Sequence, residues 1–288
     1  MAALPSVVVT GASSGIGWGC VKVLVASGFH VFGSVRTQAD AERLSEEFGA
    51  NFTPLIFDVT DEAAVSAASN IVREALDGAT LFGLVNNAGI TVVGPLLYLK
   101  IDEFRHQISV NLIGQLIVTQ AFAPLLGADP AHKGKPGRIV MISSAGGKNA
   151  MPFLGGYAAS KFALEGLSES LRRELMLFGV DVIIVAPDSV MTPNWDKAIV
   201  SVTAFGSTPY AAALEKMKHH LTANRGQGLP AERLGETVKT ALTTTKPKTF
   251  YTVPRGSLRS LLVNKLPKRV RDNRIACRLG LNRPGFSK

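Results

Sequence analysis

Tyr157 and Lys161 stand four positions apart in "YAASK", within a stretch whose pattern predicts a helix over 156–178, so the two side chains share one face. A phenol titrates near 10, and releasing its proton at neutral pH needs a fall of two to three units, about 3–4 kcal/mol. A unit positive charge about 5 Å away supplies roughly 3 kcal/mol at an effective dielectric of about 20. The pair therefore suits a general base for alcohol oxidation and, with the proton in place, a general acid for carbonyl reduction. Ser144, closing the run "GRIVMISS", offers a hydroxyl that can hold a substrate oxygen beside the phenol. Asn111, in "SVNLIGQ", can bridge through water towards Lys161 and order a proton path, or can serve as a local backbone partner.

A second candidate opens the chain. "TGASSGIG", from Thr10, spaces Gly11, Gly15 and Gly17 so that backbone amides around Ser13, Ser14 and Ile16 can close on a phosphate. The same letters contain G-x-S-x-G, the nucleophile elbow of a hydrolase, with Ser13 as nucleophile. Position separates the two readings. The motif follows the first predicted strand and opens the first helix, where a doubly wound fold binds phosphate, whereas a hydrolase serine follows a strand well into the chain.

The elements that must carry these groups alternate along the chain. Apolar, β-rich runs begin at Ser6, His30, Phe52, Leu81, Gly137, Val180 and Thr249, and helical patterns fall at 15–27, 38–48, 62–78, 101–126, 156–178, 209–224 and 230–244. Near-continuous Val and Ile content in the strands predicts a parallel sheet covered on both faces by helices. Residues 1–255 read as a single catalytic domain, with 188–228 as a substrate loop or lid and 256–288 as a basic extension.

Composition narrows the class. The chain has 288 residues, 46% of them hydrophobic, enough for one large core. With no long apolar run and no signal-peptide pattern, it reads as a soluble cytoplasmic protein. Cys20 and Cys277 do not form a paired spacing, and the five histidines lack metal-ligand spacing, so neither a disulfide framework nor a metal site is expected. The net charge of +9 is not spread evenly: residues 246–288 carry 12 of the 31 Lys and Arg against one acid, Asp272, and the body is close to neutral. That distribution argues against nucleic-acid binding by the body and for a tail that decides where the protein sits.

Taken together, "TGASSGIG", "NNAG" at Asn86, Asn111, Ser144 and "YAASK" resemble the short-chain dehydrogenase/reductase family over about residues 5–195, and "VFGSVR" with "YAASKFALEGL" is similar to its hydroxysteroid and retinol dehydrogenase branch. The resemblance implies a Rossmann fold with a seven-stranded sheet and a catalytic set of Asn111, Ser144, Tyr157 and Lys161. It places Asn87, Ala88 and Gly89 along the adenine-ribose side, Asp58 and Val59 at adenine, and Pro187, Val190 and Thr192 at the nicotinamide. It also implies homodimers or homotetramers formed through the fourth and fifth helices. One departure stands out: Asp188 follows Pro187 where the family usually has glycine, and must adopt whatever backbone conformation glycine would have taken.

Cofactor choice follows from charge. NAD enzymes of this architecture place an acid at the end of the second strand, and here that position is Val35, followed by Arg36. A guanidinium pairs with a 2′-phosphate, and Ser13, Ser14 and Thr37 can add hydroxyl donors, so NADP(H) is expected. Ile90, Val93, Leu96, Met151, Phe153, Leu154, Met191, Trp195, Ile199, Val202 and Phe205 fall in segments around the nicotinamide and predict a lipophilic carbonyl or alcohol as substrate. An NADP-binding regulatory protein without turnover is the competing class. In the tail, Leu258, Leu261, Leu262 and Leu266 recur at helical spacing beside Lys265, Lys268, Arg269, Arg271, Arg274 and Arg278, with Pro267 dividing the run. Such a segment either packs on the body or binds an anionic membrane peripherally.

Overall fold

In the computed structural model, which describes residues 4–188, 190, 202–223, 228–254 and 267–282, the valine-rich runs form seven parallel strands. They are β1 (Ser6–Val9), β2 (His30–Val35), β3 (Phe52–Ile56), β4 (Gly83–Asn86), β5 (Arg138–Ile142), β6 (Asp181–Pro187) and β7 (Phe250–Val253), in the spatial order β3-β2-β1-β4-β5-β6-β7. The helices are α1 (Gly15–Ala26), α2 (Gln38–Phe48), α3 (Glu62–Leu76), α4 (Ile101–Ile108), α5 (Gly114–Phe122), α6 (Gly155–Glu174), α7 (Ala211–Ala223), α8 (Ala231–Thr243) and α9 (Lys268–Leu279). This is a doubly wound Rossmann fold. The chain runs outward from β1 to β3 and returns beside β1 with β4, so strand order reverses between β1 and β4 and a crevice opens at their carboxyl ends.

Alternate strand residues enter opposite layers, as the pleat requires. Val7 and Val9 of β1 pack with Val21 and Leu24 of α1 and Leu234 and Val238 of α8. Val8 faces the other way, with Leu84, Val118, Phe122 and Leu164. Both faces are thus buried, which is why these strands are apolar at consecutive positions. Cys20 lies in the first layer, where burial pushes its thiol up to about 12.

The helix expected over 101–126 is divided. Ser109–Ile113 forms a π-helical turn between α4 and α5, and Asn111 sits in it, fully buried. Its amide is bound on both sides: Oδ1 accepts from the Ile90 N–H at 2.8 Å, and Nδ2 donates to the Ile90 carbonyl at 2.9 Å and to Ser160 Oγ at 3.0 Å. The side chain is therefore bound to protein groups on both sides and anchors the π turn to the loop after β4 and to α6. Such turns recur at functional sites because the extra residue re-aims a side chain.

Asp188 needs no glycine-like backbone. Its N–H donates to the Val253 carbonyl at 3.0 Å, extending the β6–β7 ladder, and among the described non-glycine residues only Asp77 and Phe153 have positive φ.

A third apolar cluster lies apart from the sheet. Val93, Phe153, Val202, Ala213, Leu214, Met217 and Leu279 are buried together, with Leu154, Phe205, Tyr210 and Ile275 packed around them. α9, in the basic extension, therefore buries Leu279 against Val202, α7 and the residues at Val93 and Phe153. Of the expected tail helix, Leu258, Leu261, Leu262, Lys265 and Leu266 lie outside the described residues.

Candidate active site

The carboxyl ends of β1, β4 and β5 open into one cleft of about 340 Å³. Its lining brings together Gly11, Ser13, Ser14, Gly15, Ile16, Arg36, Asp58, Val59, Asn87, Ala88, Gly89, Ser144, Tyr157, Lys161, Pro187 and Val190, all expected there from the sequence. Three expected residues are placed elsewhere. Gly17 packs behind the loop, Asn111 is buried behind the wall, and the Thr37 hydroxyl caps α2, accepting from the Asp40 N–H at 3.2 Å and donating to Asp40 Oδ2 at 3.1 Å. Thr37 is thus a helix cap, and Thr192 lies outside the described residues.

The Gly-rich turn is built for close approach. Gly11 and Gly15 have φ of 66° and 56°, conformations that side chains rarely adopt, and a Cβ on Gly17 would stand 2.0 Å from the Gly11 carbonyl oxygen. The Ser14 side chain makes no cap bond and no acid occupies the first turn of α1, so the helix amides and dipole remain open to an anion. Below the turn, Thr10 Oγ1 accepts from the N–H groups of Asn87 and Ala88, and Asn87 Nδ2 donates to the Thr10 and Gly11 carbonyls at 2.8 and 3.2 Å. "NNAG" therefore clamps the phosphate turn as well as lining the cleft.

Val35 is buried, and exposed Arg36 lines the cleft. Burial pushes the Asp58 carboxyl upward, but two bonds from Thr60 and the nearby charges of Arg36 and His106 outweigh it, leaving the group below its usual range. Arg43 was not legible as a site residue. Its Nη2 donates to the Ser13 carbonyl at 2.7 Å and pairs with Asp40, tying α2 to the phosphate turn. Periodicity places it only on an exposed helix face.

Ser144 lies two residues beyond β5 and Tyr157 in the first turn of α6, so packing this helix beside this strand fixes the two side chains relative to each other. A side-chain hydrogen bond joins Ser144 to Tyr157, and Ser144 Oγ also accepts from the Gly146 N–H at 3.0 Å. Burial raises the Tyr157 phenol, and the Ser144 bond opposes that rise. Lys161 is 5% exposed, and its Nζ donates to the Ile142 carbonyl at 2.8 Å. Burial lowers its ammonium to about 8, and the negative charge of Glu165 works against the fall. Desolvation thus outweighs the attraction expected between Tyr157 and Lys161, whose Nζ is 5.9 Å from the ring centre. Glu165, one further turn along α6, accepts from Ser143 Oγ at 2.8 Å, a contact the sequence did not reveal.

Among the described residues no histidine lines the cleft, which leaves Ser13 without the base that a hydrolase requires, and no cluster of His, Cys, Asp and Glu could hold a metal ion. The cradle suits the phosphates of a dinucleotide, and Arg36 suits an additional phosphate.

The family model for short chain dehydrogenases matches residues 5–200. An NADPH-dependent 3-dehydrocapnine reductase from Ornithobacterium rhinotracheale is 35% identical over 266 residues, covering 92% of this chain and 94% of that protein. Retinol dehydrogenase 16 from Mus musculus is 32% identical over 259 residues, covering 85% and 79%. Among solved structures, a short-chain dehydrogenase from Streptomyces avermitilis is similar with a TM-score of 0.71 at 28% identity, covering 87% of this chain and 89% of that one. A 3-ketoacyl-(acyl-carrier-protein) reductase from Brucella melitensis, complexed with NADH, has a TM-score of 0.71 at 26% identity, covering 87% and 97%.

Proposed function

Because the chain belongs to the short-chain dehydrogenase/reductase family, in its retinol and hydroxysteroid dehydrogenase-like branch, we propose that this oxidoreductase uses NADP(H) to interconvert a lipophilic carbonyl compound and its secondary alcohol, with reduction as the favoured direction. The observation that carries the reading is the shared cleft: the Ser144–Tyr157 pair and Lys161 open into the same space as the Gly-rich turn and Arg36. Bound cofactor supplies the hydride. The chain's own residues hold the carbonyl and deliver a proton. Ser144 and Tyr157 present hydroxyls to the carbonyl oxygen, and Tyr157, protonated because burial raises its phenol, donates the proton as charge develops there. Lys161 keeps a positive charge under that site, and Asn111 locks the π turn to α6 so that the groups stay in register.

NADP(H) over NAD(H) is supported by Arg36 beside a strand end without an acid, and by the similarity to a reductase named as NADPH-dependent. A lipophilic substrate is supported by the apolar segments that border the cleft. Ile90 lines it, Leu96 and Met151 are exposed, and Val93, Phe153 and Val202 are buried in the third cluster. Met191, Trp195 and Ile199 lie outside the described residues.

We assign residues 1–255 as the catalytic unit and 256–288 as an extension, of which α9 buries Leu279 in the third cluster. Exposed Ile101, Ile113 and Phe162 on α4, the π turn and α6 suit contact with a second copy, and a mass measurement in solution that returned only monomer would remove that assignment. Exposed Leu96, Leu97 and Tyr98, with the cationic α9, suit peripheral contact with an anionic membrane.

The test of the reaction is NADPH oxidation across aliphatic, aromatic, steroid and retinoid carbonyls, with Tyr157→Phe as control. We expect turnover on apolar ketones or aldehydes, and a loss of several orders of magnitude in kcat for Tyr157→Phe with NADPH binding retained. Turnover by the Phe variant at the wild-type rate would remove Tyr157 from the mechanism.

A further inference from the structure

α9 reaches back to the segment between β5 and α6 through the side chain of Arg271. Arg271 Nη1 donates to Asn149 Oδ1 at 2.7 Å, joining residues separated by 122 positions. Asn149 lies between Ser144 and Gly155, in the segment connecting β5 to α6. Ser144 precedes it and Tyr157 follows it in the first turn of α6, so its shape bears directly on the site. Arg271 Nε is buried and has no hydrogen-bond partner among the described residues. A partly desolvated guanidinium with an unpaired N–H is not a source of general stability, which points to a specific use for the contact.

The same loop is strained. Phe153 has φ of 68°, a left-handed conformation uncommon for a bulky residue, yet it is 6% exposed. Its carbonyl accepts from the Gly94 N–H at 2.9 Å, and its ring meets Tyr210 edge-on at 5.7 Å between centres. Leu279 of α9 is buried in the cluster that holds this ring. The loop is therefore gripped twice by the extension, by apolar packing at Leu279 and by a charged hydrogen bond at Arg271. Hydrophobic contact alone leaves the register of a helix loosely defined, whereas a hydrogen bond at one position fixes it.

We propose that Arg271 is a positioning residue that latches the C-terminal helix to Asn149 and so holds the 145–154 loop, with Phe153 in its strained conformation, as a wall on the substrate side of the cleft. The chemical class served is a large apolar carbonyl compound, since a small one is held by Ser144 and Tyr157 without that wall. The substrate part of the inference rests on the proposed reductase function; the latch itself does not.

The experiment measures amide hydrogen exchange of the full chain with NADPH bound, for wild type, Arg271→Met, Arg271→Lys and Asn149→Ala. Met keeps the apolar stem and removes the donors, and Asn149→Ala breaks the same bond from the other side. We expect exchange in 145–154 to rise about tenfold in both variants, the factor expected when a charge-assisted hydrogen bond is lost, with β1 and β4 unchanged. Arg271→Lys should recover part of the protection. In parallel, KM for a long-chain ketone should rise in Arg271→Met while KM for a short-chain ketone and the NADPH affinity stay at wild-type values. Unchanged exchange in 145–154 in both variants overturns the latch, as does a rise spread evenly over the sheet. If the wild-type chain oxidises NADPH with no carbonyl, the proposed function fails, while the exchange data still decide the latch.

Discussion

Arg36 and Lys161 carry the two charges on which the chemistry of the cleft turns, and each sits where a different physical effect dominates. Arg36 is exposed, and in the proposed function it attracts a phosphate that brings its own charge. NADPH should bind at least about tenfold more tightly than NADH, a difference of about 1.4 kcal/mol, and Arg36→Ala should abolish it. Titration of both cofactors checks this, and an unchanged preference in the variant would refute the assignment. Lys161 is buried, and burial lowers its ammonium from the usual 10.5 to about 8. As the pH rises through about 8 the lysine loses its charge, whereas burial raises the Tyr157 phenol and favours its protonated form. Reduction that depends on the ammonium should be full below that pH and fall about tenfold per unit above it. Glu165 opposes the lowering, so Glu165→Gln should move the fall to lower pH; a kcat profile flat to pH 10 contradicts both statements. The residue types and spacing of Tyr157, Lys161, Ser144 and Arg36 were legible in the sequence. The balance between burial and attraction was not, because desolvation depends on neighbours that only the fold brings in. Arg43 and Glu165 escaped notice for the same reason, since each acts through an atom distant in sequence, the Ser13 carbonyl and the Ser143 hydroxyl.

Between elements, small residues decide how closely layers approach. α1 and α8 pack on the same face of the sheet, where a Cβ on Gly19 would stand 2.5 Å from the Ala231 backbone and one on Gly235 would stand 2.5 Å from the Gly19 carbonyl oxygen. Gly235→Ala should therefore push α8 outward and cost about 1–3 kcal/mol, the usual penalty for overpacking, which corresponds to several degrees in Tm for a domain of this size. A thermal melt at the wild-type Tm would show that the helices have room to separate without cost. Strands and helices were legible because Val- and Ile-rich runs, bounded by glycine and polar residues, state their period plainly. The π turn at Ser109–Ile113 was not, since one inserted residue leaves the apolar spacing of 101–126 almost unchanged. It exists because the Asn111 amide is drawn to both backbone groups of Ile90, a contact across 21 positions that no local pattern encodes.

Over the whole molecule, charge and exposed apolar surface come together around the third apolar cluster. Leu97 is 81% exposed and Leu96 60% exposed, while Tyr98 meets Tyr210 edge-on at 6.0 Å and Tyr210 packs on the cluster that seats α9. Lys268, Arg269, Arg274 and Arg278 are all exposed on that helix. The sequence showed a helix with one apolar and one basic side but not which surface each would meet, because amphipathicity specifies a face and no partner. With Leu279 buried against the body, α9 offers a membrane its charges and one exposed apolar side chain, Val270, so shallow insertion falls mainly to the Leu96–Tyr98 rim. Each Lys or Arg near an anionic surface contributes about 1 kcal/mol, enough in sum for measurable binding at low ionic strength. The full chain should therefore sediment with vesicles rich in phosphatidylserine at low salt and be released as the Debye length shortens to about 3 Å near 1 M salt. Neutral vesicles should leave it in the supernatant. Reversing charge at Arg269 and Arg274 is the sharper variant, since removing the extension would also uncover Val93 and Phe153, and Leu97→Asp tests the apolar rim at a position already exposed to water. Weaker sedimentation with both variants is the expected result. If the wild-type chain stays in solution with anionic vesicles at low salt, the basic face of α9 has no membrane role, and the extension serves the fold alone.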